Sequence, residues 1–374
     1  MANGGKVGLR EIRFPSGHGV LKACEGDVGW RNGGRACRPP EWTPDRQLPI
    51  SHTMGERVRL SVGVSGDAAE SVELGASGPL DFVRAEVPPG RGKVEMVSSR
   101  PLPRRIAKID LGLSWSAAGK EVSPAASENV VYVTMGRPRE DLESSYQEDG
   151  VTLKRMERAV EWVEPLRTLK PHAIARALMA KFPFYSLRPS AKVPREYHHP
   201  TYFNNVGGAW PMSDHPGESG ECQAIVRLVR GVLRQLGVPG EVRALLVWAD
   251  PEVEGGRKAV SAYWEDSPGA GLSRVKRVGS QRWLATLVDS PVEAGRVYPA
   301  SHTLDERGRP SPGFNRYEAC LELTHDGVSR AYGGGAGEFR SREQVLRAFW
   351  GLLWVSEAPQ DGFKVEEIVA RYRQ

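Results

Sequence analysis

The 374-residue chain reads as an α+β protein: an N-terminal β-sandwich, then a second domain mixing helices with antiparallel strands. Three observations predict this. Between about residues 50 and 137, short apolar–polar alternations recur, separated by Gly, Pro and Ser. Beyond residue 150 the apolar spacing changes to three and four. After residue 240 it returns to strand-like runs. The boundaries drawn from these changes are 1–137 for the sandwich with an irregular N-terminal arm, 138–150 for a polar linker, and 151–374 for the second domain.

In order along the chain, the first 50 residues carry many Gly and Pro and no clear period, and are expected to wrap the sandwich as loops and an added strand. Strands are then predicted at 57–64, 71–74, 81–87, 93–97, 107–115 and 129–134 from period-two alternation. The segment from Met135 to Gly150 has the polarity of a linker. Leu153, Met156, Val160 and Val163 form one face of a first helix. A second runs over 170–181, with Pro171 suited to its first turn. A third opens at Cys222, carries Ile225, Val229, Val232 and Leu236 as its apolar stripe, and stops at Gly237 with Pro239 beyond. Arg227, Arg230 and Arg234 fall on its other faces. A buried strand is expected over 241–248, and further strands around 259–264, 283–288, 297–302 and 316–323. A last helix is expected over 341–355, with Leu346, Phe349, Trp350, Leu353 and Trp354 as its apolar face.

Composition narrows the function classes. The chain is 40% hydrophobic and 26% charged, and 51 basic against 46 acidic residues give a net charge of +5. The positive charge is spread out, and its densest runs, around Arg104 and Lys276, lack interleaved aromatics, so nucleic-acid binding is not expected. No stretch approaches the roughly 20 apolar residues that span a bilayer. No apolar signal run is read at Met1–Gly8. The expectation is a cytoplasmic protein without membrane association, with delivery by a signal-independent secretion system left open. Four cysteines are too few for a disulfide scaffold, and Cys24 and Cys37 read equally as a bridge or as two thiols. No metal-ligand spacing and no cofactor are predicted. Gly333–Gly337 is Gly-rich but lacks the context of a phosphate loop.

The most informative stretch is Gly220-Glu221-Cys222-Gln223-Ala224. It puts a thiol in the first turn of a helix, behind a loop of turn residues from Trp210 to Gly217. Uncompensated N–H groups at a helix start favour thiolate over thiol, and the thiolate is the nucleophile. Free cysteines are also commonly inert core residues, and that reading competes.

The cysteine block, followed by Leu236-Gly237-Val238-Pro239-Gly240-Glu241-Val242, resembles the nucleophile helix and turn of the transglutaminase-like, papain-like cysteine superfamily over roughly residues 150–340. The order of helices, nucleophile helix and antiparallel strands is similar to that α+β fold, and a preceding β-sandwich is familiar there. The resemblance implies acyl transfer on a protein or peptide amide, as peptidase, deamidase or transglutaminase-type enzyme. It requires an imidazole near sulfur and a third group orienting it. Of eight histidines only His302 and His325 follow the cysteine, and His325 reads as part of a turn at Thr324–Gly327. His302 is the preferred base. A hairpin centred on 305–313 would bring Asn315 across from it, giving a Cys222, His302, Asn315 set. Trp210, Asn204 and Asn205 are the candidates for oxyanion or substrate contacts.

Two alternatives stand beside this. The family's His-Ala-Trp-x-Glu strand has its nearest equivalent in Asn315-Arg316-Tyr317-Glu318, where asparagine replaces histidine. A non-catalytic protein-binding module with a decayed site follows from that alignment. A bacterial effector using the same chemistry on a foreign target is the other, with a secretion machine or partner docking through the sandwich.

Overall fold

The computed structural model describes residues 6–19, 21, 38–66, 71–90, 92–139, 153–181, 222–249, 277–278, 281–282, 287–289, 297–299, 317–333, 337–339 and 363–367. The chain divides into two compact units, one of Met1–Asp141, Asp149–Leu169 and Arg234–Val238, the other of Leu142–Glu148, Lys170–Leu233 and Pro239–Gln374. The fold is α+β, with a β-sandwich at the N-terminal side.

The first unit contains β1 (Lys6–Arg13), β2 (Trp42–Thr43), β3 (Arg46–Gln47), β4 (Ile50–Thr53), β5 (Arg59–Gly66), β6 (Val72–Ser77), β7 (Ala85–Val87), β8 (Gly92–Val97), β9 (Ala107–Ala117), β10 (Glu121–Ser123), β11 (Ala126–Thr134) and α1 (Leu153–Val163). Among the described residues one sheet has the order β3-β2-β1-β5-β8, with β10 also on β1, and the other β4-β11-β9-β6-β7. Their inward residues share one core, with Leu9, Leu60, Val62 and Met96 from the first sheet and Leu74, Leu111, Leu113 and Val131 from the second. β9 shows why: Leu111, Leu113 and Trp115 are buried while Asp110, Gly112 and Ser114 between them are exposed. This is the period of a strand with one wet face. The buried indole N–H of Trp115 donates to the Ser127 hydroxyl at 2.8 Å, so the sandwich buries a ring without stranding its donor.

The structure departs from the sequence reading at three strands. β1 is an interior strand paired with β5, β2 and β10, although its sequence carries no clear alternation. A bulge between Leu9 and Glu11 explains this, because it turns both Leu9 and Ile12, three residues apart, into the core. β4 hides differently, since Ile50, Ser51 and His52 are all buried, leaving no polar face to alternate with. The strand expected over 81–87 is shortened to β7. Asp81 takes a left-handed φ of 43° and its N–H donates to the Gly78 carbonyl, closing a turn over 78–81, and Phe82 makes only an isolated bridge to Ser98 before β7 begins.

α1 packs on β11. Met156, Ala159, Val160 and Val163 are buried, and the Tyr132 hydroxyl donates to the Glu157 carboxylate at 2.9 Å. Burial, then the Glu157 charge and hydrogen bond, push that phenol well above its ordinary pKa, so it stays a donor. With the helix on one side and the sandwich core on the other, Val131, Tyr132, Val133 and Thr134 are buried in succession.

The second unit holds α2 (Pro171–Ala180), most of α3 (Cys222–Gln235), β12 (Glu241–Ala249), β13 (Arg277–Val278), β14 (Gln281–Arg282), β15 (Leu287–Asp289), β16 (Val297–Pro299), β17 (Tyr317–His325), β18 (Val328–Gly333), β19 (Gly337–Phe339) and β20 (Phe363–Glu367). Its main sheet runs β19-β18-β17-β12-β20, antiparallel at every described pairing. β13 pairs with β14 and β15 with β16 as separate ribbons. The β17–β18 hairpin turns through Asp326 and Gly327, with φ of 50° and 72°, the two left-handed residues of a tight hairpin turn. The expected helix at 341–355 and strand at 259–264 lie outside the described residues. No helix among the described residues is long and apolar enough to cross a membrane.

Candidate active site

Cys222 is the first residue of α3, where the sequence places it; its side chain lies outside the described residues. What surrounds the helix goes beyond the sequence reading. From Ile225 to Leu233 every side chain is buried, Arg227 and Arg230 included. The sequence shows a stripe of Ile225, Val229 and Val232 with Arg227 and Arg230 on other faces, and leaves the burial of those faces open. In the structure α3 is an inner helix covered on all sides, and the arginines lie under that cover. An inner helix fixes the direction of its dipole in a medium that screens it poorly, which strengthens the preference of its first turn for negative charge.

The direction of β12 relative to α3 follows from chain geometry. Only Leu236–Gly240 separate α3 from β12, and a connection this short makes the strand run back along the helix. Gly237 and Gly240 take φ of 59° and 107° to make the reversal. Fourteen helical residues rise about 20 Å, the length of about six strand residues. Counted from Glu241, that length reaches the last part of β12, around Val247 and Trp248. There Trp248 pairs with Tyr317 of β17 and with Lys364 of β20. Tyr317, the first residue of β17, thus pairs at the end of β12 far from the α3 connection.

Asn315 precedes Tyr317, the first residue of β17, by two positions in the sequence. Asn315 itself lies outside the described residues, as do His302, Trp210, Asn204 and Asn205. His302 follows β16 by three positions. The described edges of β17 are taken by β12 and β18, and β16 is paired with β15. The hairpin expected to set His302 across from Asn315 lies in 305–313, also outside the described residues.

A histidine that sequence reading only placed at the start of a helix is integrated into this unit. His172 stands in the first turn of α2, and its Nδ1 is 3.0 Å from the Tyr332 hydroxyl on β18. Tyr332 is fully buried, and the His172 Nε2 is buried without a hydrogen-bond partner. Burial chiefly, then the nearby Arg330 and His325 charges, holds the imidazole below its ordinary pKa, with the Val328 backbone acting the other way. A neutral ring follows at pH 7. Tyr332 pairs with Leu321, four residues along β17 from Tyr317, or about 13 Å along the strand. His172 thus belongs to the middle of the sheet rather than to the Tyr317 end.

Cys320 is buried on β17 and makes no disulfide. Its register partner on β12 is Leu245. Among the described residues no group of three His, Cys, Asp or Glu side chains could hold a metal ion.

No protein-family model matches the chain. No curated protein matches it either. Among solved structures it is similar to the crystal structure of a transglutaminase from red sea bream, with 11% identity, a TM-score of 0.32, and coverage of 75% of this chain and 49% of that one. The chain thus spans about half the length of that enzyme. Agreement this loose carries no argument about the fold or the chemistry.

Proposed function

We propose that the chain is a cysteine-dependent acyl-transfer enzyme acting on protein or peptide amides, with Cys222 as nucleophile. One observation carries the reading: the thiol-bearing residue is the first of a fourteen-residue helix that is buried from Ile225 to Leu233. The Cys222 thiolate attacks the amide carbonyl, a C–S bond forms, and the amine leaves with a proton delivered by an imidazole. His302 is the proposed imidazole and Asn315 the group that accepts its second N–H. The Cys222 N–H, with Trp210, Asn204 or Asn205, stabilises the oxyanion. Water or an amine then resolves the thioester, giving hydrolysis, deamidation or exchange. The sandwich is the surface on which a protein substrate or partner docks.

The test is alkylation of Cys222 by iodoacetamide as a function of pH, read by mass spectrometry on the Cys222 peptide. The expected result is a half-maximal rate more than one pH unit below the ordinary thiol value of about 8.5. A midpoint at or above that value overturns the reading. Loss of amidase or exchange activity on a glutamine-containing peptide in Cys222→Ala completes it.

A second reading is favoured by the sequence just before β17. Asn315 stands there rather than a histidine, which fits a binding module whose base is gone. An unreactive Cys222, with partner binding unaffected by Cys222→Ala, supports that module. Toxicity on expression that disappears in Cys222→Ala supports use as an effector.

A further inference from the structure

A second candidate site lies wholly inside the first unit. Phe14, Pro15, Ser16 and Gly17 form a tight turn after β1, closed by the Gly17 N–H donating to the Phe14 carbonyl at 3.0 Å. The turn carries Ser16 to the ring of His52 on β4, with Oγ 2.9 Å from Nε2. On the other side of the ring, His52 Nδ1 lies 3.3 Å from the Glu56 carboxylate and 3.4 Å from the Thr53 carbonyl.

The tautomer follows from the partners. A carboxylate and a carbonyl only accept, so Nδ1 carries the proton and Nε2 presents its lone pair. Ser16 Oγ therefore donates to Nε2, and it accepts the Arg59 N–H at 3.0 Å. The order is hydroxyl, imidazole, carboxylate, with every proton in the position that nucleophilic catalysis needs. Exposure is graded to match. His52 is fully buried, Ser16 is partly open, and the Glu56 side chain is 52% exposed. The Ser16 N–H donates to no acceptor among the described residues, so it is free to meet a developing oxyanion.

We propose that Ser16, His52 and Glu56 form a serine-nucleophile site that cleaves carboxylic esters. Ser16 Oγ bonds to the acyl carbon as its proton passes to His52 Nε2, and the alkoxide leaves with that proton. Water then attacks the acyl-serine, giving its proton to Nε2, and the acid is released as Ser16 regains a proton. The Thr53 carbonyl accepts the Nδ1–H, and Glu56 is a positioning residue whose carboxylate, 3.3 Å from Nδ1, stabilises the transient imidazolium. A site with one evident oxyanion donor suits esters, whose alkoxides leave more readily than amines.

The titratable groups facing the ring among the described residues are Glu56 and His18, whose ring centroid is 6.1 Å away, with Arg137 acting on His18. Burial holds His52 below its ordinary pKa, offset by the Thr53 backbone and Glu56.

The experiment treats the full chain with diisopropyl fluorophosphate, in which Ser16 Oγ bonds to phosphorus as fluoride departs. The expected result is a single adduct on Ser16, present also in Cys222→Ala and absent in Ser16→Ala. Glu56→Gln, an exposed change that leaves the fold intact by circular dichroism, should slow labelling by at least about tenfold. It should also move the pH midpoint of labelling downward, because the carboxylate that favours the imidazolium is gone. Hydrolysis of p-nitrophenyl acetate should disappear in Ser16→Ala. A folded chain that takes no adduct on Ser16 overturns the proposal, and so does a Glu56→Gln variant with unchanged rate and midpoint.

Discussion

Gly240 is the residue through which α3's reversal into β12 can be tested. Its φ is 107°, and a β carbon built there would sit 2.5 Å from the Thr324 carbonyl oxygen and 3.2 Å from the His325 β carbon. Thr324 is the register partner of Glu241, so the added carbon would push β17 away at the first pair of the β12–β17 ladder. Two costs add in Gly240→Ala. An L side chain at positive φ costs about 1–2 kcal/mol, and forcing a methyl against packed backbone costs about 1–3 kcal/mol more. Gly327 isolates the first of these. Its φ is 72°, it lies in the turn of the β17–β18 hairpin two residues after His325, and a β carbon there would meet nothing within 4 Å. We expect Gly327→Ala to destabilise the second unit by about 1 kcal/mol and Gly240→Ala by about 3 kcal/mol. Urea unfolding followed by tryptophan fluorescence gives both values, with hydrogen exchange in β12 and β17 assigning the transition to this unit. Equal losses in the two variants would refute the reasoning, because the close approach at Thr324 would then constrain nothing. Gly240→Ala should also slow Cys222 alkylation, since it disturbs the segment that sets α3 beside the sheet.

Two further outcomes concern the sandwich. Tyr132→Phe keeps the buried ring and removes only the hydroxyl donating to Glu157, so it should cost about 1 kcal/mol in urea unfolding; no loss would mean that α1 is held to β11 by apolar packing alone. His18, half-buried beside His52, has its pKa lowered to about 4 by desolvation first and by the His52 and Arg137 charges after it. Between pH about 6.5 and about 4 the unfolded chain takes up a proton that the folded chain refuses, so stability falls as pH drops through that window and is fully present above it. Melting temperatures of the wild type and His18→Gln across pH 4–7 check this, and a profile no flatter in the variant contradicts it.

The parts of the sandwich visible in the sequence are those with one solvated face. β9 announces itself because Leu111, Leu113 and Trp115 alternate with exposed residues. β1 and β4 do not, for opposite reasons: one is bulged, so its buried residues lose the period of two, and the other is buried on both faces. The same holds for α3. A wholly covered helix and a half-covered one share the run of Ile225, Val229 and Val232, and what separates them is where Arg227 and Arg230 go. Sequence reading sends an arginine to solvent by default. Only the fold reveals that these two lie within the cover.

Site residues were legible where local structure alone fixes them. Cys222 could be placed at a helix start because the loop of turn residues before it, the apolar stripe and the stop at Gly237 follow one another in the chain. The Ser16, His52 and Glu56 cluster could not, since its hydroxyl and imidazole come from segments 36 residues apart, joined only when the turn after β1 meets β4. Neither segment carries a motif, and His52 read simply as a histidine in the N-terminal region. The same distinction separates the two ends of the main sheet. Asp326-Gly327 declares its turn in two letters, whereas the pairing of β17 with β12 depends on a register of Trp248 with Tyr317 that spans 69 positions. That register is what makes Asn315 matter. Asn315 stands two residues before Tyr317, at the position where the resemblance to the transglutaminase-like family calls for a histidine. Asn315→His is the direct trial there: a rise in Cys222 reactivity would place position 315 beside sulfur, and an unchanged pH profile would leave His302 as the imidazole to pursue.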